Sequence, residues 1–265
     1  MYFRENSFFA SIPPVVKNLI IINLILWLAS VTLERFTLIN LNDVLGMHYC
    51  AAQKFQAWQL LTYMFCHDTS SFGHVFFNMF ALFMFGRVLE YNWGAKRFLI
   101  FYFVTGIGAG IVQQLFWQIE YGTLISAMNQ GIVENSGQAL IPFKETLLRH
   151  FPGLQSFDLR SLDAMSISVM KMNFANSLIT VGASGSVFGL LLAFGMMFPY
   201  QPIYLMFIPI PIKAKYFVIG YAVIELFFGV AHFSFDNIAH FAHLGGMLFG
   251  LLLILYWRKK QFRFQ

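Results

Sequence analysis

GASGSVFGLLLAFGMMF, Gly182 to Phe198, decides the class of fold. It carries no charge, and no charged residue occurs anywhere between Lys171 and Lys213. Its first eight positions crowd small residues and two hydroxyls, Ser184 and Ser186, and long apolar side chains follow. Composition places this stretch in a bilayer. The 265 residues are 58% hydrophobic and 18% aromatic, only 11% are charged, and the mean hydropathy is +0.65. So little polar surface excludes a soluble globule of this size.

A spanning helix needs roughly 20 mostly apolar residues. Six stretches qualify, at about 18–33, 72–91, 98–118, 176–198, 215–231 and 238–257. Strict alternation is absent, so the spans are helices and not barrel strands. The expectation is an all-α, polytopic membrane protein, one domain over 1–265. No internal repeat, nucleotide loop or low-complexity tract interrupts it.

Basic residues orient the chain. With the N-terminus inside, the inner face holds Arg4, Lys17, Arg87, Lys96, Arg97, Lys213, Lys215, Arg258, Lys259, Lys260 and Arg263. The longer outer segments hold Arg35, Lys54, Lys144, Arg149, Arg160 and Lys171. Both termini are therefore expected in the cytoplasm. These flanks account for the net charge of +5 and give no reason to expect a nucleic-acid partner. Glu5 and Phe8-Phe9 spoil the n-region of a signal peptide, so the first span is read as an uncleaved anchor. Cys50 and Cys66 both fall in the first outer segment, where pairing and free thiols are equally open.

Between the spans, 34–71 reads as an interfacial outer segment, with a surface helix over Phe55–Phe65 whose Trp58 and Tyr63 suit the headgroup level. The outer segment 119–175 reads as an extramembrane insertion in which Pro142–Gly153 forms a short amphipathic helix. Four prolines in PYQPIYLMFIPIPIK, Pro199 to Lys213, exclude a straight helix and predict an extended inner loop.

Polar groups inside hydrocarbon are expensive and mark function. His74 and Asn78 lie four apart, on one face of the second span. Ser184 and Ser186 lie on the fourth, Glu225 on the fifth, and His240 and His243 near the outer end of the sixth. Spans two, four and six run in the same direction, and Ser184 is expected about eight residues, roughly 12 Å, into its helix. One cavity below the outer surface would then reach Ser184, His243, His74 and Asn78. Gly185-xxx-Gly189 and Gly246-xxx-Gly250 are small-residue faces that let the fourth and sixth spans approach closely. A serine hydroxyl becomes nucleophilic when an imidazole accepts its proton. Asn78, His74 and the Ser184 N–H could stabilise an oxyanion. No intramembrane aspartate is available to orient the base, which points to a dyad. Glu225 reads as a hydrogen-bonded acid near the water-filled end of its helix, or as a proton or gating group. His67 and His232, at span edges, are expected to be solvated.

Gly182-Ala183-Ser184-Gly185, His74-x-x-x-Asn78 and Ala242-His243-Leu244-Gly245-Gly246 resemble the motifs of rhomboid intramembrane serine proteases, over about 18–257 and on the spans that family uses. Glu90 and Gln113-Gln114 join the resemblance. It implies a six-transmembrane-helix rhomboid-like bundle, Ser184 as nucleophile, His243 as base, and His74, Asn78 and the Ser184 amide as oxyanion hole. It further implies hydrolysis of a peptide bond in or next to the membrane helix of a single-span protein, in a bacterial inner membrane, with no cofactor and no metal. Where some bacterial members have a tyrosine four residues after the nucleophile, Phe188 stands here, able to stack but not to hydrogen-bond.

Ser184 alone, in a glycine-rich span, is ordinary helix packing. Ser186 is roughly 200° round the helix from it, so only one of the two serines can face the cavity. His240 competes with His243. His67, His74, His240 and His243 could ligate zinc, but no His-Glu-x-x-His pair is present and no carboxylate is expected beside them to act as base. A catalytically inactive rhomboid-like chaperone or binder would be expected to have lost the serine or the histidine, and both are here.

Overall fold

The computed structural model describes residues 12–37, 39–205, 208–231 and 239–262. His232, Arg4, Glu5, Phe8-Phe9 and Arg263 lie outside the described residues. The main helices are α1 Pro14–Phe36, α2 Phe72–Trp93, α3 Ala95–Glu134, α4 Ala164–Ser177, α5 Ser184–Met197, α6 Ala214–Ala231 and α7 His240–Phe262. Among the described residues, α1, α2, α3, α6 and α7 are long and apolar enough to cross a membrane, and α5 is a shorter apolar helix. The molecule is a polytopic helical bundle.

α5 is its axis. Nearly every side chain from Gly185 to Gly195 is buried, enclosed chiefly by α3 and α7. The outer helices instead turn apolar side chains outward, Ile21, Ile25 and Leu28 on α1 and Ile219, Val223 and Val230 on α6, the surface that meets lipid. Lipid tails are as apolar as leucine, so burial does not drive these helices together and close packing must. The glycine faces supply it. A Cβ on Gly246 would lie 1.9 Å from the Gly185 carbonyl oxygen, and one on Gly250 would lie 3.4 Å from the Gly189 Cα. α5 and α7 touch backbone to backbone, as the spacing predicts.

The fourth span departs from expectation. The helix expected from about 176 begins at Ser184, and residues before it form a separate helix, α4, joined through an extended strand. At 1.5 Å per residue the 14 residues of α5 reach only about 21 Å, less than the roughly 30 Å of hydrocarbon. Ser184 opens a short helix and does not lie two turns down a long one. The physical reason is Gly182, whose φ of +136° is a backbone state that L side chains rarely adopt; helix cannot propagate back through it.

The segment before Ser184 is pinned by the loop between α1 and α2. Strand β1 (Met47–His48) pairs antiparallel with β2 (Ile179–Thr180), Met47 opposite Thr180. Gly182 N–H donates to the Tyr63 carbonyl (2.9 Å), and the Tyr63 hydroxyl donates to the Gly106 carbonyl of α3 (2.6 Å). Gln114 Nε2 donates to the His48 carbonyl, 2.6 Å, and its Oε1 accepts from Cys50 N–H, 2.8 Å. The interfacial helix expected over Phe55–Phe65 is only Gln59–Thr62 with one following 3-10 turn, Tyr63–Phe65. Gln59 and Thr62 hydrogen-bond within the loop, and Tyr63, expected at the headgroup level, is buried against α3.

α3 continues well past the expected end at 118. Its 40 residues span about 60 Å, and the outer half is the spine of the lobe. Leu140, Leu147, Leu159, Ile167 and Phe174 are buried with Leu124 and Met128 of α3. Asn135, at φ 51°, ends the helix in the left-handed state. The expected short helix of the lobe is present as Lys144–His150. On the inner side, the proline-rich run is extended as expected, and pairs with itself as the hairpin β3 (Pro202–Leu205) and β4 (Ile208–Lys213). α2 contains a π turn over Leu82–Gly86 and ends with Glu90 buried beneath α1. Glu90 Oε1 and Oε2 accept from the N–H groups of Val15 and Val16, at 3.0 and 2.8 Å, so an acid distant in sequence caps the first helix.

Candidate active site

A cleft of about 770 Å³ opens between α2, α5 and α6 and is lined by His74, Asn78, Ser184, Phe188, Tyr221 and His243, among others. Within it, His243 Nε2 lies 2.8 Å from Ser184 Oγ. The glycine contact between α5 and α7 sets this distance, since it lets two helices approach far enough for a short side chain to meet an imidazole. Phe188 stacks on His243 with ring centres 4.1 Å apart and planes within 7°.

As the first residue of α5, Ser184 brings with it a helix N-terminus. The first N–H groups of a helix have no intrahelical acceptor, and the helix dipole is positive there. Across the cleft, Asp68 N–H donates to His74 Nδ1 at 3.2 Å. That bond leaves the ring proton on Nε2. A Cβ placed on Gly182 would be 3.0 Å from that Nε2 and 3.4 Å from Ser184 Oγ, so the glycine keeps the space between them clear. Asn78 also lines the cleft, though one of its amide hydrogens is engaged with the His74 carbonyl, 2.8 Å away.

The competing residues are separated from the hydroxyl. Ser186 donates to the Tyr102 carbonyl on α3 (2.7 Å) and is buried. His240 meets Glu225, its Nδ1 2.6 Å from Oε2. The same Oε2 lies 2.8 Å from His243 Nδ1. A carboxylate therefore does stand beside the histidines, which corrects the expectation that none would; it arrives from α6. The signal was present, as a lone acid within an apolar run, but its partner was not legible. Glu225, His240 and His243 have ligating atoms within 4.8 Å of one another. Their closest separations are hydrogen-bond lengths, whereas two ligands on one tetrahedral zinc stand about 3.3 Å apart at zinc bond lengths.

His67 corrects an expectation as well. It is fully buried, its ring 5.2 Å from that of His74, because the loop between α1 and α2 folds down onto the bundle instead of into water. Burial, and then the neighbouring His74, hold its pKa down at about 3. The unfolded chain protonates this group near pH 6.5 and the folded chain does not. Stability is thus expected to fall as pH drops from 6.5 towards 3, by at most about 1.4 kcal/mol per pH unit from this residue. The thermal unfolding midpoint in detergent, followed from pH 7 to 4, should fall less steeply in His67→Phe than in the wild type; equal slopes would remove His67 from the effect.

Fold and site together define a polytopic helical membrane protein that places a serine and a histidine in hydrogen-bonding contact within a cleft of its bundle. Comparison with known sequences agrees. The sequence pattern of the Rhomboid domain matches residues 54–127 and 139–260, most of the chain, and the chain belongs to the rhomboid family. It is 28% identical over 109 residues to a protein of Bacillus subtilis (strain 168) carrying the name "Putative rhomboid protease YdcA". That match covers 40% of this chain and 53% of the relative, so it spans about half the relative's length. Family membership supports an intramembrane-protease type of function.

Proposed function

We propose that the chain, acting as one domain over 1–265, is an intramembrane serine endopeptidase with Ser184 as nucleophile and His243 as general base. The observation that carries this reading is the 2.8 Å contact of His243 Nε2 with Ser184 Oγ inside the cleft. In the reaction, Oγ attacks the carbonyl carbon, its proton passes to Nε2, and the imidazolium then protonates the leaving amine. Water hydrolyses the acyl-enzyme on Ser184. The Ser184 N–H, His74 Nε2–H and the Asn78 amide stabilise the oxyanion. The inactive-chaperone alternative has no support from a chain that keeps both the serine and the histidine.

The substrate class is single-span membrane proteins, cut in or next to the transmembrane helix. A cleft walled by Phe77, Phe80, Leu191 and Phe217 suits an apolar segment presented from the lipid. Wild-type protein in liposomes is expected to cleave such a substrate, and Ser184→Ala is not; cleavage persisting in Ser184→Ala overturns the proposal. Asn78→Ala should slow turnover by about 10²-fold or less, the loss of one oxyanion donor among several. An unchanged turnover number would remove Asn78 from that role.

The family resemblance and the size of the chain support a bacterial inner (cell) membrane, and the distribution of basic residues supports both termini in the cytoplasm, which puts the loop between α1 and α2 outside. Its two thiols are unpaired, Cys50 exposed and Cys66 buried. Burial pushes the Cys66 thiol up to about 12, leaving it unreactive. A membrane-impermeant maleimide should label Cys50 on intact spheroplasts and fail on Cys50→Ser. Labelling only after permeabilisation would invert the topology.

A further inference from the structure

The base of a serine hydrolase must present a lone pair to the hydroxyl, so its proton has to sit on the far nitrogen. Phe188 stacks on His243 but cannot choose between the nitrogens, because a ring face neither donates nor accepts in the imidazole plane. Glu225 can choose. Its carboxylate is buried, and Oε2 receives His243 Nδ1–H at 2.8 Å and His240 Nδ1–H at 2.6 Å. An ionised carboxylate only accepts, which leaves Nε2 of His243 unprotonated towards Ser184 Oγ at 2.8 Å. Serine, histidine and glutamate form one line of hydrogen bonds running from α5 through α7 to α6.

We propose that Glu225 is the positioning residue of a Ser184–His243–Glu225 triad, and that His240 clamps its carboxylate through the same oxygen. This rests on the serine-protease reading above. As the Oγ–carbon bond forms, the carbonyl π pair moves to oxygen and the Oγ proton moves to Nε2. The resulting imidazolium lies against the Glu225 carboxylate, which remains ionised throughout. When the carbon–nitrogen bond breaks, the Nε2 proton leaves with the amine and the tautomer is restored. His240, whose ring stacks near that of Phe228, 5.8 Å between centres, stops the glutamate side chain from rotating away.

Glu225→Gln keeps the size and an accepting oxygen but loses the charge, so it separates electrostatic positioning from structure. In liposomes, with wild type and Ser184→Ala alongside, Glu225→Gln should lower kcat by about 10² to 10⁴-fold, the range bounded by loss of the acid's charge in a serine triad. KM and the thermal unfolding midpoint should stay at wild-type values. His240→Ala should lose about 10-fold or less, since the Glu225–His243 bond remains. Wild-type kcat in Glu225→Gln overturns the triad and leaves the Ser184–His243 pair standing. A loss matched by a falling unfolding midpoint assigns Glu225 a structural role and also overturns it. Wild-type activity abolished by a chelator and restored by zinc would make the cluster a metal site, a third refutation. Cleavage by Ser184→Ala fails the protease reading itself. A second measurement needs no variant of Glu225: ¹⁵N spectra of histidine-labelled wild type in detergent, with the His243 signals assigned by their absence in His243→Asn. Nδ1 should be protonated and Nε2 not; the reverse tautomer contradicts the proposal.

Discussion

His243→Ala is expected to reduce kcat on a liposome-embedded single-span substrate by about 10⁴ to 10⁶-fold, to the residual level that binding and the oxyanion donors support alone. The neighbouring groups offer no replacement. His240 Nδ1 is 2.6 Å from Glu225, and its place one turn away on α7 gives its ring no route to Ser184 without unwinding that helix. His74 retains its proton on the nitrogen that faces the cleft, so it can donate but not accept there. Because serine and histidine act as a unit, Ser184→Ala should match this loss and the double variant should add little. Initial rates on purified, reconstituted protein decide the matter. A His243→Ala enzyme within 10-fold of wild type would mean that another base serves Ser184.

Gly246→Ala is expected to inactivate nearly as thoroughly through packing alone. The added Cβ would sit 1.9 Å from the Gly185 carbonyl oxygen and 2.7 Å from its carbon. Both are backbone atoms of the turn that carries Ser184, so no side chain can move aside. α7 must retreat from α5, and His243 retreats with it. Overpacking of this kind destabilises by about 1–3 kcal/mol, and misplacing a base by about 1 Å is enough for a 10²-fold loss. Turnover should therefore fall by about 10²-fold or more, with a lower unfolding midpoint. Gly153→Ala is the control, since nothing lies within 4 Å of a Cβ there. If Gly246→Ala cleaves at the wild-type rate, the α5–α7 contact does not set the serine–histidine distance.

Much of this could be read from the residues. The glycine spacing on the fourth and sixth spans predicts their contact, and the outer end of that contact carries both Ser184 and His243. Ser186 was separable from Ser184 by helix geometry alone, and its bond to Tyr102 shows where the other face points. What escaped were properties set by other segments. Hydropathy cannot find where a helix starts when the preceding strand is equally apolar, so it places Ser184 within a span and not at its first residue. The length of α3 beyond 118 follows from the lobe that packs on it. Glu225 looked like an isolated acid, since the two histidines that it meets come from a different helix at a distance no periodicity encodes. His67 was expected in water because its burial depends on a loop folding back over the bundle.

The central claim is that Ser184 is a nucleophile activated inside the bundle. Fluorophosphonate labelling of the purified protein tests it most directly, on wild type and Ser184→Ala, with and without a zinc chelator. Wild type should take up one label, mapped to Ser184 by peptide mass and indifferent to chelation, and Ser184→Ala should take up none. Label that persists in Ser184→Ala, or that chelation removes from the wild type, would contradict it.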